Sequence, residues 1–219
     1  DYLSGIENII GTKNIDNIKG DANANYIFGG EGADIIQGNG GNDNLEGGAG
    51  ADSFNITSIS DGDDTINGDI SSNTADDTEI DTVDYSSISN TYHLEVNLTA
   101  GEAFVKEGTD TKLTTTLSDV EKVIGTAGND TFIGYISDNI FDGQDGSDTV
   151  DYISSSQVKV NLSSSDIVYK NTTYLANKAI STLSSIENTD TLTNIENIKG
   201  SSYADIIIGN ELKNTFYGD

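Results

Sequence analysis

Along most of the chain an apolar residue returns every nine positions, set among glycines and polar residues. With a frame of nine opened at Tyr2, Gly11, Gly20, Gly29, Gly38 and Gly47, the eighth position reads Ile9, Ile18, Ile27, Ile36, Leu45 and Phe54. The frame returns from Thr116, Gly125, Gly134 and Gly143 with Val123, Phe132, Phe141 and Val150, and from Thr191, Gly200 and Gly209 with Ile198, Ile207 and Phe216. The sixth position is always Asp, Asn or Glu: Glu7, Asp16, Asn25, Asp34, Asp43 and Asp52, then Glu121, Asp130, Asn139 and Asp148, then Glu196, Asp205 and Asn214. Only 34% of the chain is apolar, so the free choice of a frame does not account for agreement in every nonad. Repeats of this kind are sought first, because they set the architecture.

The period predicts the elements. An odd repeat excludes one continuous strand, whose side chains alternate with period two. The glycine density excludes a helix, at a cost of about 1 kcal/mol for each glycine. Short strands of about three residues, each with one inward apolar side chain, alternate with tight turns. Glycines at positions one, two and four supply turn conformations with φ > 0. Between the repeat blocks the period changes. In "YHLEVNL", Tyr92, Leu94, Val96 and Leu98 alternate with polar residues, and "QVKVNL" does the same with Val158, Val160 and Leu162. Both predict half-buried strands in β-hairpin or ribbon insertions packed on the repeats. "DGDDTI" at 61–66 is the frame slipped by three, with Asp64 at position six and Asp61 keeping the unslipped register. "DTEIDTVDY" (77–85) and "GSDTVDY" (146–152) end blocks alike, and Asp1-Tyr2 looks like the tail of another such segment. The chain opens without Met and stops within the pattern, which reads as a piece of something longer.

Charge narrows the function classes. The chain has 219 residues with 37 Asp+Glu against 10 Lys+Arg, a net charge of -27. Such a surface repels phosphate backbones and anionic lipid, so nucleic acid is excluded as a partner, and it attracts cations. No apolar run of about 18 residues predicts membrane insertion. The chain has no Cys, so there is no disulfide framework and no thiolate site, and a single histidine, His93, falls on the polar side of its strand. A zinc site is therefore improbable. Neither G-x-S-x-G nor a phosphate-binding glycine motif occurs. At 142–148, Gln144 and Gly146 break the ligand order of an EF-hand loop. N-x-[ST] at Asn55, Asn97, Asn129, Asn161 and Asn171 is no more than a chain this rich in Asn, Ser and Thr produces by chance. Nothing singles out catalytic residues, and the chain is read as non-enzymatic.

Stacked turns bring the position-six carboxylates together, which is unfavourable unless a cation lies between them. Calcium takes six to eight oxygens, from carboxylates and from the carbonyls that glycine-rich turns expose. "GGEGADIIQ", "GNGGNDNLE" and "GGAGADSFN" at 29–55, and more loosely "GTAGNDTFI" and "GQDGSDTVD", resemble the nonapeptide of RTX, or hemolysin-type calcium-binding, repeats. The resemblance implies an all-β fold, a calcium-stabilised parallel β-roll with two nonads to a turn and Ca2+ between turns n and n+2. Carried over residue by residue, it pairs Asp16 with Asp34, Asp34 with Asp52, and Asp130 with Asp148. It implies calcium ligands from Asp16, Asn25, Gly29, Gly30, Glu31, Gly32 and Asp34, and from Gly38, Asn39, Gly40, Asp43, Gly47, Gly48, Ala49, Gly50 and Asp52. Asp61 or Asp64 would close the slipped turn. Gly125, Ala127, Asp130, Gly143, Asp145 and Asp148 would serve the second block and Asp205 the third. Asn25 and Asn139 keep an oxygen without its charge and imply weak or empty sites, while the turns opened at Tyr2, Thr116 and Thr191 carry Glu and imply none.

The expected organisation is a first roll block over 1–85, an insertion over 86–115, a second block over 116–152, an insertion over 153–190 and the start of a third block over 191–219. The resemblance further implies a type I-secreted scaffold on the surface of a Gram-negative cell, adhesin- or S-layer-like, folding on external calcium. Self-association, or a cell-surface glycan or lipopolysaccharide, is the expected partner besides calcium. The alternative is the export and folding segment of a secreted RTX protease or lipase. A self-cleaving module is disfavoured, since those cut at Asp-Pro and this chain has no Pro.

Overall fold

The computed structural model describes residues 5–69, 79–134, 137–183 and 186–218. Asp1-Tyr2 and the first two residues of the 77–85 segment lie outside the described residues. Every regular element described is a strand. The first eight are β1 (Asn8–Ile10), β2 (Asn17–Lys19), β3 (Tyr26–Glu31), β4 (Ile35–Gln37), β5 (Asn44–Ala49), β6 (Ser53–Asn55), β7 (Asp64–Asn67) and β8 (Thr82–Asp84). Next come β9 (His93–Asn97), β10 (Glu102–Glu107), β11 (Asp110–Ser118), β12 (Lys122–Ile124), β13 (Thr131–Ile133), β14 (Ile140–Asp142) and β15 (Thr149–Asp151). The last are β16 (Lys159–Asn161), β17 (Ile167–Tyr169), β18 (Thr172–Tyr174), β19 (Lys178–Leu183), β20 (Ile186–Thr193), β21 (Asn197–Lys199), β22 (Ile206–Ile208) and β23 (Thr215–Tyr217).

Alternate nonads feed opposite sheets. In the first sheet Ile9 pairs with Ile27 and Ile27 with Leu45, while in the second Ile18 pairs with Ile36 and Ile36 with Phe54, all in parallel. Two nonads therefore make one coil, and the position-eight side chains of both sheets point at one another. The chain is a parallel β-roll. At the slipped turn Leu45 pairs with Ile66, so Asp64 and not Asp61 keeps the register of the stack.

The insertions lie in the sheets rather than on them, which differs from the expectation of ribbons packed on the roll. In the first sheet the order runs β7-β11-β10-β9-β13, while the second passes directly through β8-β12-β14. β11 is parallel to β7 and β9 to β13, with β10 antiparallel between them. The second insertion repeats the device in the other sheet, as β14-β20-β19-β16-β22, where the first sheet runs straight from β15 to β21. Each antiparallel pairing reverses direction, so three meander strands are the smallest addition that lets a parallel stack continue. The repeat pattern could not show this, because β10, β11, β19 and β20 lie where the nonad is silent. β17 and β18 form a separate hairpin. Two added strands widen one sheet by about 10 Å at the usual strand spacing. A groove of about 930 Å3 lies between the two meanders, lined among others by Leu98, Asp119, Glu121, Ile140 and Lys178.

One apolar stack runs through the whole molecule. Ile27, Ile36, Leu45, Phe54, Val123, Phe132, Phe141, Val150 and Ile198, all at position eight, are fully buried. Leu94, Val96, Ala103, Val105, Leu113 and Leu117 carry the same stack through the first meander. Phe132 and Phe141 meet across the roll with ring centroids 5.1 Å apart. Burying each such side chain contributes about 1.5–3 kcal/mol. With a single inward residue per strand, a neighbour cannot refill a gap. Phe132→Ala is accordingly expected to cost about 3–5 kcal/mol, read from denaturant unfolding in excess calcium.

Candidate metal centre

The turns place the position-six side chains in two ladders along the roll's edges. On one edge the N–H of Asp16 donates to Oδ1 of Asp34 (2.8 Å), that of Asp34 to Oδ1 of Asp52 (2.7 Å), and that of Asp52 to Oδ1 of Asp81 (2.7 Å). The N–H of Asp81 then donates to Oε2 of Glu121 (3.0 Å). On the other edge the N–H of Asn25 donates to Asp43 (2.7 Å) and that of Asp43 to Asp64 (2.9 Å). Beyond the meander the N–H of Leu94 donates to Asp130 (2.7 Å), that of Asp130 to Asp148 (2.7 Å), and that of Asp148 to Glu196 (3.0 Å). Each carboxylate is thus tied by one oxygen to the coil before it.

The second oxygen folds back over its own turn. A Cβ at Gly29 or Gly47 would collide with Oδ2 of Asp34 or Asp52, which is why position one is glycine there. Oδ2 of Asp34, Asp43, Asp52 and Asp148 is buried with no hydrogen-bond partner. Burial pushes all four carboxyls up, Asp52 to about 6 and Asp148 to about 8, against the bond to Oδ1 that pulls down, and neighbouring carboxylates add to the rise. Asp64 is pushed up to about 7, first by burial and then by Asp43, Asp61 and Asp63.

The expected pairs are brought together: Asp16 with Asp34, Asp34 with Asp52, and Asp130 with Asp148. The turns expected to lend carbonyls also stack, with Gly30 opposite Gly48 and Glu31 opposite Ala49. These turns, from Gly29 to Gly32 and from Gly47 to Gly50, flank the Oδ2 atoms of Asp34 and Asp52. Gly38, Asn39 and Gly40 form the turn over Asp43, and Gly143 the turn over Asp148. Gly125 and Ala127 belong to the turn of Asp130, which already satisfies its carboxylate. Asp61 lies off the ladder, receiving N–H bonds from Thr57 (2.7 Å) and Ser58 (3.0 Å). The Glu31 side chain points outward to Lys13, and Asp145 is exposed. Among the described residues no three His, Cys, Asp or Glu side chains converge. A cation here would therefore draw on one or two carboxylates and on turn carbonyls. An all-oxygen donor set with unsatisfied buried carboxylate oxygens fits calcium, which would supply the missing charge and coordination.

Two rungs were not assigned by the nonad. Asp81 opens "DTVDY", as Asp148 does, and that shared motif is the signal for it. Asp190 comes from the last meander strand. Its Oδ1 accepts the Asn139 N–H (3.0 Å) and its Oδ2 accepts the Tyr152 hydroxyl (2.8 Å), so a protein donor stands where the open rungs have none. Burial pushes Asp190 up to about 6 in spite of both bonds.

A parallel roll with carboxylate ladders at its turns defines a calcium-binding repeat. The family model described as the RTX calcium-binding nonapeptide repeat (4 copies) matches residues 2–36, 19–54 and 117–150, so these stretches are RTX repeats and the chain carries a calcium-binding RTX module. No curated protein matches the chain.

Three outcomes follow from the buried carboxyls. The folded, metal-free carboxyls of Asp52, Asp64 and Asp148 titrate above the unfolded value of about 3.9. Folding without metal therefore takes up protons. The stability they allow is fully present below about pH 4 and is lost as pH rises through 6 to 8. In chelator, far-ultraviolet circular dichroism is expected to show more β-structure at pH 5 than at pH 8. Calcium must displace the same protons, so its apparent affinity is expected to rise from pH 5 to pH 8. Tyr152→Phe leaves Asp190 with a buried unpaired oxygen and is expected to cost about 1–3 kcal/mol in thermal unfolding at saturating calcium.

Proposed function

We propose that the chain is a calcium-folded structural segment of a type I-secreted protein on the surface of a Gram-negative cell, an adhesin- or S-layer-like scaffold. The observation that carries this reading is the set of four buried carboxylate oxygens without partners in a chain of net charge -27. At low calcium, self-repulsion and unpaired buried charge oppose the roll, and at extracellular calcium both are relieved. A chain built this way stays open inside the cell and orders outside it. The in-sheet insertions support a scaffold role, because they lengthen the roll's sheets without breaking the apolar stack. Calcium-dependent self-association, or contact with a surface glycan or lipopolysaccharide, is the partner this reading assigns. Among the described residues no helix is long and apolar enough to cross a membrane.

Circular dichroism during a calcium titration from chelator to about 10 mM, with magnesium as control, tests the mechanism. Extracellular modules of this kind bind at about 10⁻⁴–10⁻³ M, and a coil-to-β transition in that range with calcium alone is expected. A chain fully β-folded in chelator at pH 8 would overturn calcium-driven folding. Sedimentation velocity in calcium then separates a self-assembling scaffold from an isolated export segment, which stays monomeric.

A further inference from the structure

The nonads fall into two classes that their shared glycine and aspartate do not reveal. In five of them the residue at position two, four before the ladder residue, donates its N–H to the side-chain oxygen that folds back over the turn. Thr12 donates to Asp16 (2.6 Å), Asp21 to Asn25 (2.9 Å), Thr126 to Asp130 (2.7 Å), Ser201 to Asp205 (2.8 Å) and Asn210 to Asn214 (3.0 Å). Thr126 and Ser201 add their hydroxyls to the other oxygen, at 2.8 Å and 2.7 Å. None of these five residues has positive φ.

In the other four the position-two residue is left-handed: Gly30 at φ 120°, Asn39 at 65°, Gly48 at 111° and Gln144 at 66°. Its N–H is turned away from the carboxylate. That of Gly48, for instance, donates to the Gly68 carbonyl of the next coil (3.0 Å). These are the nonads of Asp34, Asp43, Asp52 and Asp148, whose Oδ2 atoms have no partner at exposures of 1%, 3%, 1% and 0%. The correspondence has no exception among the nine glycine-opened nonads in which both residues are described. Two of the four are strained by it, since Asn39 and Gln144 hold a left-handed conformation while carrying a Cβ. Opening a buried carboxylate at such expense is unfavourable unless something else binds it.

We propose that the backbone conformation at position two selects which rungs take a cation: Asp34, Asp43, Asp52 and Asp148 are cation sites, and Asp16, Asp130 and Asp205 are closed by their own turns. This rests on the calcium reading above and divides its sites. The nonad "GQDGSDTVD" is a site despite its glutamine, while "GTAGNDTFI" is not one despite matching glycine and aspartate. A threonine N–H takes the cation's place at Asp130, as the Tyr152 hydroxyl does at Asp190. Asparagine stands at the closed rungs 25 and 214, where an N–H cap asks only for a neutral oxygen.

Equilibrium dialysis of the full chain with calcium at pH 8 tests the selection, with circular dichroism at saturating calcium confirming that each variant is folded. The variants are Asp148→Asn, Asp130→Asn and Thr126→Gly. Asp148→Asn is expected to lose one bound calcium, and Asp130→Asn to keep the parent's number, as Asn25 keeps its cap. Thr126→Gly frees position two to turn left-handed and is expected to gain one calcium, a readout that no folding defect imitates. An equal loss in Asp130→Asn and Asp148→Asn, or no gain in Thr126→Gly, overturns the selection while leaving calcium binding intact. A parent chain that binds no calcium overturns the calcium reading itself.

Discussion

The structure depends on stacking a buried carboxylate in register on the one in the coil before it. Everything local to the turn serves that contact. Glycine at position one makes room for the side chain, the apolar residue at position eight fixes the strand's face, and the N–H of Asp16, Asp34, Asp43, Asp52 and Asp130 ties each to the next carboxylate. A ladder bond with a charged acceptor contributes about 1.5–3 kcal/mol, yet it satisfies only one of two oxygens. The other must find an N–H, a hydroxyl or a cation in a space closed to water. An N–H answers it at Asp130 and a hydroxyl at Asp190, while at Asp34, Asp43, Asp52 and Asp148 no protein group does.

Around that constraint the rest of the chain behaves as a one-dimensional solid. Each coil rests on its neighbours, and the apolar stack is one residue deep on each side. Continuity across the insertions is therefore essential, and the meanders secure it by re-entering the sheet parallel to the strands they separate. The first widens one sheet and the second the other, so the two sheets stay nearly equal in strand number, 11 and 10. The ladders cross the meanders as well: Glu121 and Glu196 take the rungs at the restarts, where a longer side chain reaches the N–H of the preceding coil.

A fold of this kind links charge to location. The carboxylates that make the chain -27 at neutral pH are in part the groups the roll buries, so ordering the turns and recruiting a cation are coupled. Protons are the competing ligand, which makes acid a partial substitute for calcium rather than only a denaturant. Lysine ion pairs such as Lys199 with Asp151 (2.8 Å) lie at the surface and offset little of this charge.

The nine-residue period by itself determined the short strands, the inward residue of each and the recurring carboxylate, because each depends only on spacing along the chain. The roll, and the pairing of Asp34 with Asp52 and of Asp130 with Asp148, were legible through the resemblance of the nonads to RTX repeats. Strands such as β10 and β19, and rungs such as Asp190, were not, since their partners are set by non-local sheet pairing with no fixed separation in sequence. Tertiary structure alone also separated Asp148 from Asp130. Both follow a glycine five residues earlier and precede a β-branched or aromatic strand, but the Thr126 N–H and hydroxyl bond Asp130 while the Gln144 N–H does not reach Oδ2 of Asp148. That direction follows the backbone angle at position two, positive at Gln144 and not at Thr126, a difference that spacing along the chain does not carry.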